Sequence, residues 1–145
     1  MIPNARQLVA ACLALVLLTF VVGARLLYTR IKEMREKRIH PQAVRTSVKM
    51  AARLDNVQTA DNFRNLFEVP VLFYALAAVA LATTHTPAWL VYGAWLFVAL
   101  RAVHSLIHCT YNKVMHRFAA FLTSFALLVG LWVAFFVTLR AASAA

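Results

Sequence analysis

Four stretches of the chain are almost wholly apolar for about 20 residues at a time, the length a helix needs to cross a hydrocarbon core. They predict membrane-spanning helices over residues 8–27, 63–83, 89–108 and 117–139. The second and third are separated only by "T-T-H-T-P-A" (83–88), a short turn in which Pro87 suits the first turn of the next helix. The third and fourth are separated by "C-T-Y-N-K-V-M-H" (109–116). The first connection, residues 28–62, is longer and charged on all sides in "R-I-K-E-M-R-E-K-R". That run predicts a helical extension of the first span, with Glu33 and Lys37 paired at i,i+4, or simply a solvated stalk beside anionic lipid.

Composition places all of this in a membrane. Of 145 residues, 63% are hydrophobic and only 14% charged, with a mean hydropathy of +0.72. A soluble domain of this length would have to expose too much of that apolar content. The expected architecture is an all-α, four-transmembrane-helix bundle forming a single domain over residues 1–145. The net charge of +10 reads as topology and not as nucleic-acid binding. Basic residues crowd the first connection, and Lys113 and Arg117 flank the third, whereas the other side carries only Arg6 and Arg140. The positive-inside rule then puts the first and third connections in the cytoplasm and both termini outside it. The basic cluster follows the first apolar run, which favours a retained helix over a cleaved signal peptide. Cys12 and Cys109 have no C-x-x-C or metal spacing and read as two free thiols.

Polar residues enter the apolar spans at one level. "N-L-F-E-V-P-V-L-F-Y" (65–74) carries Asn65 and Glu68 into the second span, about 9 Å deep for Glu68 at the rise of a helix. Arg101 lies at about the same depth on the antiparallel third span, so Arg101 is the expected partner of Glu68. Asp61, Asn65 and Glu68 share one helical stripe, and Arg101, His104, Ser105 and His108 share another. Pro70 cannot donate to the carbonyl of Leu66, so a kink is expected beside Glu68. A buried Glu–Arg pair can do no more than fix helix packing. The wider cluster, with Arg117 opening the fourth helix at the same surface, reads instead as a pocket open to the cytoplasmic leaflet. No metal is expected there: His104 and His108 are i,i+4 apart, but Arg101 would repel a cation and no further ligand is placed. A proton or ion path is also disfavoured, because the stripe ends against "V-L-F-Y-A-L-A-A-V-A-L". His85 reads as solvated in its turn, and His116 as interfacial without a role.

The order "N-x-x-E-x-P" on the second of four spans, "R-x-x-H-S" on the third, and an Arg opening the fourth resembles the MAPEG family, the membrane-associated proteins in eicosanoid and glutathione metabolism. "D-N-F-R-N-L-F-E-V-P-V-L-F-Y" is similar to a bacterial branch of that family. The resemblance implies a homotrimer in the cytoplasmic (inner) membrane, with glutathione as cosubstrate. Arg64, Asn65, Glu68, Arg101, His104 and His108 would then bind the tripeptide, and Arg117 would be the catalytic group near its sulfur. Such donors suit a ligand with two carboxylates, an amine and a thiol. The activity implied is a glutathione-dependent transferase or peroxidase acting on small hydrophobic electrophiles that arrive from membrane lipid. Three positions depart from the glutathione-using members: His108 replaces a tyrosine, and Phe118 and Phe121 replace a serine and a tyrosine. The alternative is a non-enzymatic membrane scaffold or lipid-binding protein with a structural Glu–Arg cluster.

Overall fold

The computed structural model describes residues 3–143, and among them there are helices and turns but no strand. Six α-helices occur in the order α1 (Pro3–Glu36), α2 (Ser47–Ala51), α3 (Gln58–Asn65), α4 (Val69–Ala82), α5 (Ala88–Cys109) and α6 (Val114–Ser143), with a short 3-10 turn at Pro41–Val44. Together α3 and α4 make one spanning unit, so four helical units are long and apolar enough to cross a membrane. The second unit starts several residues before the expected span and is broken in the middle.

That break lies at Leu66–Glu68. Three successive i→i+3 bonds close it: the Leu66 N–H donates to the Phe63 carbonyl, Phe67 to Arg64 and Glu68 to Asn65. Pro70 stands in the first turn of α4, where its missing N–H costs nothing. The expected kink is therefore a full interruption of the helix, with Asn65 ending α3 just before it and Glu68 as its last residue.

The bundle has two halves. The half towards the α4–α5 turn is dry. Leu8, Ala11 and Leu15 of α1 meet Phe73, Leu76 and Ala80 of α4, Leu90, Ala94 and Phe97 of α5, and Leu128, Leu131 and Phe135 of α6. Phe73 and Phe97 stack at 5.0 Å between ring centroids. The other half, towards the first connection, buries Thr59, Asn62, Arg101, His104, Ser105 and His108. Outside both, the helices turn large apolar side chains such as Phe20, Leu106, Met115 and Phe136 outward, as a lipid-facing surface requires.

The first connection is folded rather than a solvated stalk. Helix α1 extends to Glu36 as expected, and Lys37 Nζ meets Glu33 Oε1 at 2.7 Å. The same carboxylate accepts the backbone N–H groups of Asp55 (2.6 Å) and Asn56 (3.3 Å), which clamps the chain just before α3. Lys37 also reaches Asp55 at 2.9 Å. The hydrogen bonds to Glu33 and then to Asp55 hold the Lys37 ammonium above its ordinary pKa. Arg38 and Thr84, both at positive φ, follow α1 and α4. The next N–H in each case bonds five residues back, Ile39 to Met34 and His85 to Ala80, in the Schellman pattern. This turn carries His85 onto α6, 5.8 Å from the Phe135 ring, with a buried Nε2. His85 is thus half-buried and not solvated as expected. Pro87 stands just before α5 as its N-cap, in extended conformation.

Close approach of α5 to α6 depends on Gly93, where an added Cβ would overlap the buried Leu131 side chain, whereas a Cβ at Gly130 meets nothing within 4 Å. Gly93→Val should lower stability by about 1–3 kcal/mol through overpacking. Gly130→Ala should be neutral or slightly stabilising, since it only adds helix propensity. Thermal unfolding of the detergent-solubilised variants reads both, and equal melting points would refute this account of the α5–α6 contact.

Candidate functional site

The polar half is organised around Arg101. Its side chain is fully buried (0% exposed) on α5, although it is one of the largest charged groups in the chain. Its Nη2 donates to Oδ1 of Asn65, the last residue of α3. Among the described residues no ion pair joins Arg101 to Glu68. Glu68 stays within electrostatic reach of the guanidinium, but the direct contact of Arg101 is the Asn65 hydrogen bond and not the expected Glu68 ion pair. The helix break explains the change. It ends α3 at Asn65 and leaves Glu68 in the interrupted turn, exposed, while Asn65 stays turned toward α5. Arg101 Nε and Nη1 are buried with no hydrogen-bond partner among the described residues.

One turn further along α5, His104 Nδ1 lies 3.2 Å from the Arg117 carbonyl on α6. His108 follows, its ring 5.6 Å from that of His104. His104 also contacts the Phe121 ring at 6.0 Å. His104 Nε2 and His108 Nδ1 are buried without partners among the described residues. Ser105 donates to Asn62 Oδ1 at 3.3 Å, and Asn62 Nδ2 donates to Cys109 Sγ at 3.3 Å. The stripe 101, 104, 105 and 108 thus faces inward as its spacing predicts. Arg117 Nη1 donates to Asn112 Oδ1 at 3.0 Å, and Asn112 takes the positive φ in the turn between α5 and α6. Both cysteines are free thiols, as expected.

These groups border a cavity of about 400 Å³ between α3, α5 and α6. Arg64, Asn65, Glu68, His104, His108 and Arg117 all line it, with Asp61 and the aromatic walls Phe118 and Phe121. Of the seven site residues picked from the sequence, only Arg101 is not on the wall; it stands behind, holding Asn65. Asp61 pairs loosely with Arg64 at 4.0 Å. Two guanidinium and two carboxylate groups therefore face one small volume with two imidazoles. Such a set can bind a zwitterionic ligand at several points. Two contributors escaped the sequence reading. Asn62 was legible only as the residue one turn before Asn65. Asn112 was legible only as a residue type that tolerates the left-handed conformation. Among the described residues no three His, Cys, Asp or Glu groups cluster in a way that would hold a metal ion.

A four-helix bundle with an apolar girdle and a polar pocket in one half defines an integral membrane protein with a site built between its helices. The chain belongs to the MAPEG family: the family model matches residues 8–137, nearly its whole length. No curated protein and no solved structure matches it.

The Asn65–Arg101 bond makes a direct prediction. Asn65→Leu leaves a buried guanidinium with no hydrogen-bond acceptor among the described residues and should cost about 2–3 kcal/mol. Arg101→Met removes the charge together with its need for a partner. The double variant should therefore unfold at a higher temperature than Asn65→Leu alone. A double variant less stable than Asn65→Leu would show that Arg101 is held by something other than Asn65.

Proposed function

We propose that the pocket binds a glutathione-type thiol and presents it to small hydrophobic electrophiles dissolved in the membrane. The observation that carries this reading is the convergence of Arg64, Asn65, Glu68, His104, His108 and Arg117 on one cavity of about 400 Å³. A tripeptide thiol has two carboxylates for the arginines and an amine for Glu68. Arg117, tied to Asn112 and backed by its own carbonyl on His104, sits at the mouth of α6. Its charge favours thiolate over thiol. In a conjugation the thiolate sulfur attacks the electrophilic carbon and a C–S bond forms. The displaced electron pair leaves with the departing group, or takes a proton when the reaction is an addition. Arg101 acts as a positioning residue, since it reaches the pocket through Asn65. Family membership supports the reading; in it the pocket faces the cytoplasmic side of a bacterial inner membrane, the side the positive-inside rule favours, and the chain works as a homotrimer.

A second reading rests on the aromatic wall. Phe118 and Phe121 line the cavity where hydroxyls would hold the ligand in glutathione-using members of the family. Without those hydroxyls the polar cluster would serve a membrane scaffold or lipid-binding protein.

Calorimetry with glutathione on the detergent-solubilised protein separates the two. Wild type should bind, and Arg117→Ala and Glu68→Gln should each weaken binding by about tenfold or more, the loss of one charge-assisted contact. No heat at millimolar glutathione, or binding unchanged in both variants, favours the scaffold reading.

A further inference from the structure

Arg117 favours the thiolate but cannot take the proton that the thiol gives up, because a guanidinium is already protonated and offers no acceptor. That proton goes either to water or to a group on the cavity wall. Four such groups can receive it: Asp61, Glu68, His104 and His108. A carboxylate is a far weaker base toward a thiol than an imidazole is. Asp61 also faces Arg64 at 4.0 Å, and Glu68 is the acid left for the ligand's amine. The choice therefore falls between two rings on one face of α5.

The two rings are not equivalent. His104 Nδ1 lies 3.2 Å from the Arg117 carbonyl, and a carbonyl only accepts, so this nitrogen carries the hydrogen. The lone pair of neutral His104 is then on Nε2, which is shut off inside the bundle. In His108 it is Nδ1 that is shut off, with no partner among the described residues. That leaves Nε2 as the cavity-side nitrogen of a residue that lines the cavity and keeps 5% of its surface accessible. Charged groups meet His108 from each side. Arg117 of α6, Asp61 of α3 and Arg101 of α5 are within electrostatic reach of it, and so is the His104 ring. Arg64 and Glu68 share the cavity wall, and Arg25 of α1 is tied to the Cys109 carbonyl at 2.6 Å. The burial of both imidazoles is complete within one chain, so a neighbouring subunit does not alter it.

We propose that His108 is the base of the thiol reaction: its Nε2 takes the thiol proton while Arg117 stabilises the thiolate, and gives it back once the electrophile has reacted. The proposal rests on the thiol reading of the pocket and adds a catalytic residue to it. The S–H bond breaks, its electron pair stays on sulfur, and an N–H bond forms on the imidazole. After the C–S bond has formed, the proton passes to the departing group, or in an addition to the atom that received the displaced pair. His108 ends neutral, as it began. Transfer within the pocket leaves its net charge unchanged. Release to water would instead leave one more negative charge at the edge of an apolar layer.

Calorimetry on the detergent-solubilised protein, in buffers with different heats of ionisation, counts the protons released when glutathione binds. S-methylglutathione, which has no thiol proton, gives the background, and ultraviolet absorbance reads the thiolate in parallel. Near neutral pH the wild type should form the thiolate while releasing about zero protons above that background. His108→Phe should still bind glutathione, and any thiolate it forms should send about one proton each to the buffer. This variant keeps a ring and removes a buried nitrogen that has no partner, so the bundle should not lose stability. Should it fail to fold, the wild-type count decides alone. About one proton released per thiolate by the wild type overturns the proposal. So does glutathione bound to the wild type without thiolate, or a proton count in His108→Phe equal to that of the wild type. A wild type that binds no glutathione refutes the thiol reading itself, and the proposal falls with it.

Discussion

A guanidinium with no exposed surface inside a membrane helix is the constraint on which the rest of the polar half depends. Arg101 cannot shed its charge easily, and hydrocarbon offers it nothing. It needs an acceptor, and Asn65 supplies one from the neighbouring helix. The bond fixes where α3 must end relative to α5. It also fixes the faces that Asp61 and Arg64 present, because they share α3 with Asn65. From Arg101 the same face of α5 leads to His104 and His108, and through the His104–Arg117 contact to the start of α6. One buried cation thus sets the geometry of three helix ends.

The dry half makes that arrangement affordable. Phe73, Phe97, Leu128 and Phe135 are buried to within 2% of their surface and pack across α4, α5 and α6. Burial of such side chains is not strongly driven in lipid, where the tails are as apolar as leucine, so close fit matters more than area. Gly93 against Leu131 shows the tolerance involved. The packed half holds the helices in register, and the other half can open a polar cavity between them without the bundle separating.

Much of this was legible in the chain. Four apolar runs separated by basic and turn-forming segments dictate four spans. The stripe of Arg101, His104, Ser105 and His108 follows directly from helical spacing, and all four are buried. Six of the seven expected site residues line one cavity. What could not be read was the partner of Arg101. Depth counting treats the second span as a continuous helix and places Glu68 opposite the guanidinium. Pro70 signalled a kink, but not that the helix would stop at Asn65 and resume at Val69. The fold of the first connection was hidden for a similar reason. Glu33 looks like half of a surface i,i+4 pair, and only the returning chain reveals that it accepts two backbone N–H groups. Local periodicity carries no information about a segment 22 residues away.

The helix break gives one short segment two different neighbours. Asn65 and Glu68 line the polar cavity, while Leu66 and Phe67 line an apolar cavity beside α1. The backbone between them is closed by i→i+3 bonds, and Pro70 withholds the donor that would have continued the α-helical ladder. Its position is therefore set from the sides. Arg101 holds it through Asn65, and the Phe63 and Phe67 rings, edge to face at 5.1 Å, hold it against α1. An uninterrupted helix would place the same side chains through its own ladder and owe little to its neighbours. Here the wall between the two cavities stands because both sides of it are packed.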